Sequence, residues 1–132
     1  MKLTKSTDFA LRLTIFLSKQ TCNQTMPNIA STLAIPYHNL TKIVQQLSRA
    51  GYIETQQGKN GGIKLAKESH KISLKNIIDI INGPTELSSC LGHKESDCPL
   101  VYNCKLKETF STLQVKINAL FEEITIGEII NE

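Results

Sequence analysis

Three cysteines, Cys90, Cys98 and Cys104, fall within fifteen residues in the spacing C-x7-C-x5-C. The residues between them, Leu91-Gly92-His93-Lys94-Glu95-Ser96-Asp97 and Pro99 among them, read as loop. Thiolates are soft ligands that favour iron–sulfur clusters, zinc or Cu(I). Three of them leave one position for another side chain or an external ligand. Zinc ribbons use paired C-x2-C knuckles, which this spacing lacks, but a Cys3His zinc site completed by His93 or His70 stays open. So does a metal-free switch in which two cysteines oxidise to a disulfide. Cys22 stands apart, and a lone cysteine usually behaves as a small buried hydrophobe.

A second group of residues has chemistry suited to DNA. Leu40, Ile43, Val44 and Leu47 recur at helical spacing, and packing them inward turns Tyr37, His38, Asn39, Thr41, Lys42 and Gln45 outward. An α-helix fits the major groove, where base edges display a full donor and acceptor code. The N-terminal end of such a helix reaches base edges, and Lys42 suits a phosphate. Asn39 and Gln45 are of the types that pair bidentately with adenine. Shortly after comes a glycine-rich stretch, Gln56-Gln57-Gly58-Lys59-Asn60-Gly61-Gly62. Its Lys59 carries charge, its glycines let backbone approach DNA closely, and Gln57, Asn60 and Gly61 offer polar contacts to a minor groove or a phosphate.

These groups need elements to hold them. Phe9, Leu13, Phe16, Leu17 and Gln20 predict an amphipathic helix from Ser6 to Gln20, followed by a polar turn from Cys22 to Thr25. Pro27, tolerated in a first helical turn, opens a short helix through Ile29, Ala30 and Leu33. Ile35-Pro36 interrupts it before the outward-facing helix, which ends at Ala50-Gly51. Strands are expected at Tyr52–Thr55 and Ile63–Leu65, with Asn60-Gly61 signalling a hairpin. Ser73 caps a further helix carrying Leu74, Ile77, Ile78 and Ile81 and stopping at Asn82-Gly83-Pro84. Leu106, Phe110, Leu113, Ile117, Leu120 and Ile124 then alternate four and three apart, a heptad seam suited to helix pairing in a dimer or to packing on its own domain. The fold class is mainly α: a winged helix-turn-helix domain with a two-stranded β wing and a long C-terminal dimerisation helix. The expected division is residues 1–84 for DNA, 85–104 for the cysteine loop, and 105–132 for the dimerisation helix and terminal segment.

Charge divides the chain in the same place. Residues 1–85 hold eleven Lys and Arg against four acids, a balance of +7, whereas residues 86–132 hold four lysines against eight acids, a balance of −4. A basic half facing phosphates and an acidic half facing elsewhere is the expectation. No apolar run approaches the roughly 20 residues of a membrane span. MKLTKSTDF is not followed by an apolar signal region, so a cytoplasmic protein is expected, with cysteines that serve metal or redox chemistry rather than structural disulfides. Neither a phosphate-cradling motif nor a nucleophile–histidine arrangement is present, which argues against an enzyme. A zinc-stabilised protein-interaction module is the alternative from another class.

Together the motifs resemble the bacterial winged-helix regulators that include NsrR, IscR and RirA. The resemblance runs nearly end to end. It rests on Leu3-Thr4 with Asp8, Leu47-Ser48-Arg49-Ala50-Gly51-Tyr52-Ile53, Gly58-Lys59-Asn60-Gly61-Gly62-Ile63, the three-cysteine loop, and Ile124-Thr125-Ile126-Gly127-Glu128. LSRAGYI and GKNGGI look most like the nitric-oxide-sensing branch; a regulator of iron or iron–sulfur status is the alternative within the family. The resemblance implies a homodimeric repressor on double-stranded operator DNA, with an iron–sulfur cluster, 4Fe–4S rather than 2Fe–2S, held by Cys90, Cys98 and Cys104. It further implies that Asp8 of the partner subunit supplies the fourth ligand and that Arg12, one turn along, supports Asp8. Three features depart from the family pattern: a longer gap between Cys90 and Cys98, Gln57 where arginine is common, and Pro36-Tyr37 in place of a serine cap.

Overall fold

The computed structural model describes residues 2–92, 98–100 and 102–131. Helix α1 (Lys5–Ser18) opens on Thr4, whose Oγ1 accepts the Thr7 N–H at 3.2 Å, and buries Phe9, Ala10, Leu13, Thr14 and Leu17. It ends two residues earlier than the periodicity predicts. The N–H groups of Lys19 and Gln20 turn back to the carbonyls of Phe16 and Leu17, tightening the last turn. Helix α2 (Met26–Leu33) carries Pro27 in its first turn and stops at Ala34, held in the left-handed region at φ 53°. Buried Ile35 and then Pro36 lead into α3 (Tyr37–Arg49).

Strands β1 (Ile53–Gln56) and β2 (Gly62–Leu65) pair antiparallel, with Ile53 opposite Leu65 and Gln56 opposite Gly62. The first strand starts one residue later than expected; Tyr52 still accepts the Ala66 N–H at 3.0 Å, and its ring lies under the Lys67 ammonium at 4.2 Å. The hairpin is present, but Asn60-Gly61 is not its left-handed step. Positive φ falls at Gly58 (101°) and Gly62 (143°). Gly61 is required for closeness: a Cβ there would lie 2.4 Å from the Gln56 carbonyl oxygen.

Helix α4 (Leu74–Asn82) begins with a capping box, Ser73 and Asn76 each accepting the other's backbone N–H. After the cysteine loop comes α5 (Lys105–Glu123), and then α6 (Ile126–Ile130), which opens on a second capping box between Thr125 and Glu128. The two capped starts lie side by side: Leu74 N donates to Ile124 O at 2.9 Å and Ile126 N to Ile72 O at 2.8 Å. Ile126 is fully buried, and Gly127 passes so near His70 that a Cβ would meet its Cα at 2.9 Å. The terminal segment therefore folds back onto the helices that precede the cysteine loop and joins their core, α1 packing against α3, α4 and α6. The core is aliphatic, as Ile29, Ile43, Ile63, Ile72, Ile77 and Leu13 show.

Candidate nucleic-acid interface and cysteine loop

Helix α3 buries Leu40, Ile43, Val44 and Leu47, which fixes its rotation about its own axis. Tyr37, His38, Lys42 and Gln45 are exposed as expected. Asn39 and Thr41 are half-buried, and the Thr41 hydroxyl donates to the Tyr37 carbonyl at 3.0 Å. Tyr37 is the first residue of the helix. Pro36 precedes it and gives no side-chain cap, which leaves first-turn N–H groups facing outward beside Tyr37 and His38. In the wing, Gln57, Gly58, Lys59 and Asn60 are exposed and Gly61 is half-buried. Neither Lys42 nor Lys59 is engaged in an ion pair among the described residues.

Two residues that sequence reading passed over as a polar turn hold the wing. Gln24 forms an antiparallel bridge with Ile63, its N–H donating to Ile63 O at 2.9 Å and its carbonyl accepting from Ile63 N at 2.8 Å. That bridge is why residue 62 is glycine, since a Cβ would stand 2.6 Å from the Gln24 oxygen. The amide of Asn23 spans further, donating to Gln56 Oε1 at 2.9 Å and to the Asn60 carbonyl at 3.0 Å. The only signal available in sequence was Gly62 itself.

Toward the N-terminus, Asp8 and Arg12 lie one turn apart, and Arg12 Nη2 reaches Asp8 Oδ2 at 2.7 Å. Arg12 also covers the Phe9 ring at 5.6 Å. Both side chains are about half exposed, so the carboxylate is open to solvent beside Lys2, Leu3, Thr4 and Lys5, which line the same shallow concavity.

The cysteines lie at the other end of the sequence. Cys90 sits in a 3₁₀ turn (Ser89–Leu91), half-buried, with its thiol donating to Ser88 Oγ at 3.2 Å. Cys104 is half-buried and immediately precedes α5, where unpaired N–H groups favour an anionic ligand. Cys98 is exposed. Cys22 is exposed as well, not buried as a lone cysteine is expected to be, because the turn before α2 lies outside the core. The loop is tied to α5 by Leu87 N, which donates to Gln114 Oε1 at 2.8 Å, and Gln114 is oriented in turn by Asn118 at 3.1 Å. The donor set of three cysteine thiols fits a soft, thiolate-ligated group in chemistry. Among the described residues no three Cys, His, Asp or Glu side chains converge to metal-holding positions. His93 lies outside the described residues, and His70 is turned to Glu68 Oε2 at 3.1 Å.

A short helix, a break, a reading helix and an antiparallel wing, with the exposed polar groups on the last two, define a winged helix-turn-helix regulator of transcription. The family model described as "Rrf2: Iron-dependent Transcriptional regulator" matches residues 3–132, and the chain belongs to that family. Among its relatives, the transcriptional regulator NsrR of Shouchella clausii is 31% identical, covering 98% of this chain and 89% of that protein. NsrR of Geobacillus kaustophilus is 35% identical over 81% of this chain and 74% of its own length. The fold matches the global cysteine regulator CymR of B. subtilis at a TM-score of 0.79 and 20% identity, covering 99% and 97% of the two chains. It also matches IscR of T. potens, with a TM-score of 0.76 and 18% identity over 99% and 87%. These relatives are regulators rather than enzymes. No helix among the described residues is long and apolar enough to cross a membrane.

Proposed function

We propose that the chain is a cytoplasmic, homodimeric repressor whose grip on double-stranded operator DNA is set by an iron–sulfur cluster and released by nitric oxide. One observation carries the DNA-binding part: α3 and the wing are exposed together, each fixed from behind, α3 by its buried aliphatic face and the wing by Asn23 and Gln24. Tyr37, His38, Lys42 and Gln45 would then meet the major groove, and Gln57, Lys59, Asn60 and Gly61 the adjacent minor groove or its phosphates. Asn39 and Thr41, half-buried, would act at the edge of that contact.

The sensing part rests on the donor set and on the NsrR relatives. Cys90, Cys98 and Cys104 would hold the cluster, 4Fe–4S in preference to 2Fe–2S, with Asp8 of the partner subunit as fourth ligand. Bound there, the cluster would supply iron able to react with nitric oxide. The chain's own residues prepare for this in two ways. The Asp8–Arg12 pair is solvent-exposed and so worth only about 0.2–1 kcal/mol; Asp8 can exchange Arg12 for another partner at little cost. Gln114 links the loop to α5, so that a change at the cysteines is passed to the helix proposed to join the subunits. A dimer must present its reading helices about 34 Å apart to meet successive half-sites, and a small rotation removes that match.

Nitric oxide titration of the anaerobically purified protein, following visible absorbance and operator binding together, tests the proposal. A brown protein whose absorbance and operator affinity fall in parallel is expected. Equal operator binding before and after nitric oxide would overturn the sensing role. A colourless, zinc-containing protein without operator preference would replace the whole reading with an interaction module.

A further inference from the structure

Between α3 and the wing runs a groove of about 490 Å³, bordered by Tyr37, Thr41 and Gln45 of the proposed reading surface. Its floor is apolar, made by Met26, Val44 and Ile63, and Tyr37, Arg49 and Thr55 stand exposed around it. The hydroxyl of Ser48, in the same groove, is shielded from solvent and has no hydrogen-bond partner among the described residues. Arg49 closes the last turn of α3 and forms no ion pair among the described residues.

The position of the groove decides its occupant. If α3 enters a major groove and the wing the neighbouring minor groove, the DNA strand dividing the two must cross the space between α3 and the wing. That strand presents alternating deoxyribose and phosphate. An apolar floor suits the sugar, and an unpaired guanidinium is the strongest phosphate donor a side chain offers. We propose that this groove seats one deoxyribose-phosphate of the operator strand that passes between reading helix and wing, with Arg49 on the phosphate. The proposal rests on the DNA-docking reading above and deepens it. Arg49 specifies no sequence in this role; it sets how deeply α3 and the wing sit relative to each other.

Salt dependence separates a phosphate contact from a structural one. The full-length protein would first select a preferred duplex from a random pool. Its affinity would then be followed against potassium chloride for the wild type, Arg49→Ala and Arg49→Lys. Each lost phosphate contact lowers the slope of log K against log salt by about 0.9, hence by about 1.8 for a dimer carrying two copies of Arg49→Ala. Binding should weaken by about tenfold or more at low salt, to a similar factor on preferred and scrambled duplexes, and Arg49→Lys should restore the slope. An unchanged slope with a lowered melting temperature would mean that Arg49 only stabilises the end of α3, and the seat would fall. So would a loss confined to one base pair, which marks base reading, or competition by a small apolar ligand that leaves the slope intact. If the wild type prefers no duplex at all, the docking reading itself fails and takes the seat with it.

Discussion

Helices α3 and α5 both carry apolar side chains at helical spacing, yet they are used in opposite ways. Over 13 residues α3 buries four aliphatic side chains, whereas α5, with 19, buries none. Phe110, Ile117 and Phe121 of α5 are half-covered by the chain's own domain, while Leu106, Leu113 and Leu120, seven apart, stay exposed. A helix whose face is filled from within has its orientation set by its own fold. One that keeps a leucine row in solvent has only half of its packing. The difference leaves the proposed reading surface set by intramolecular forces, and the exposed row of α5 open to the proposed partner subunit.

The sharpest way to break this contrast is to charge the exposed row. Leu113→Asp should leave the monomer fold intact, since Leu113 is 42% exposed. If α5 pairs with a second copy, this change should turn a dimer into a monomer. It should also cost about a hundredfold or more in operator affinity, because linked half-sites bind with that order of avidity. Sedimentation and anisotropy measured together check it; a variant still dimeric would remove α5 from the interface.

Next in size is the place where the two regions are joined. Ile126 is fully buried, and its truncation to alanine should destabilise the protein by about 2–5 kcal/mol in denaturant unfolding. Gly127→Ala should cost about 1–3 kcal/mol, because the new methyl would press on the His70 backbone. Small losses at both would mean that the terminal segment is not locked to the core formed with α1 to α4, and that α5 swings more freely than its bond pattern allows.

Much of this was legible in the sequence, because the relevant forces are local. The 3.6-residue spacing of α3, Pro27, Pro36, Gly51 and the Ser73 cap are local signals of backbone chemistry, and α1 to α4 and the hairpin lie within a residue or two of their expected places, whereas α6 was not expected. What was not legible depends on distant partners. The heptad seam includes Ile124, but that residue is extended and hydrogen-bonded to Leu74, so the helix stops before the seam does. The Asn23 latch joins residues 33 and 37 positions apart, and no periodicity announces it. Asn39 and Thr41 lie on the flanks of α3, where a count of apolar positions cannot separate half-buried from exposed. Of the site, residue types were readable and convergence was not: the three cysteines are close in sequence, but among the described residues no three such side chains converge to metal-holding positions.

A smaller effect tests how firmly the wing belongs to the reading surface. Asn23→Ala removes two exposed hydrogen bonds, worth about 1 kcal/mol in stability at most given their contact with water. Operator affinity should drop by a few-fold to tenfold, and footprinting should lose minor-groove protection while major-groove protection by α3 persists. If both protections fade together, wing and helix move as one body without the latch.

The smallest expected change in stability is at Asp8, and it is the most discriminating. The Asp8–Arg12 pair is about half exposed, so Asp8→Ala should alter unfolding by less than about 1 kcal/mol. An ordinary surface acid would end its influence there. If Asp8 reaches the partner's cysteines, the same substitution should change the visible spectrum and the iron content of anaerobic protein while leaving the unfolding curve in place. Arg12→Gln, which frees the carboxylate without removing it, should keep the spectrum. A mixed dimer sharpens this further. Asp8→Ala in one subunit and Cys90→Ser in the other confines the two lesions to one of the two cysteine sites if ligation crosses the interface, so half of the iron should be retained. If each subunit supplies its own Asp8, both sites are damaged and the retained iron falls to the level of the single-lesion homodimers.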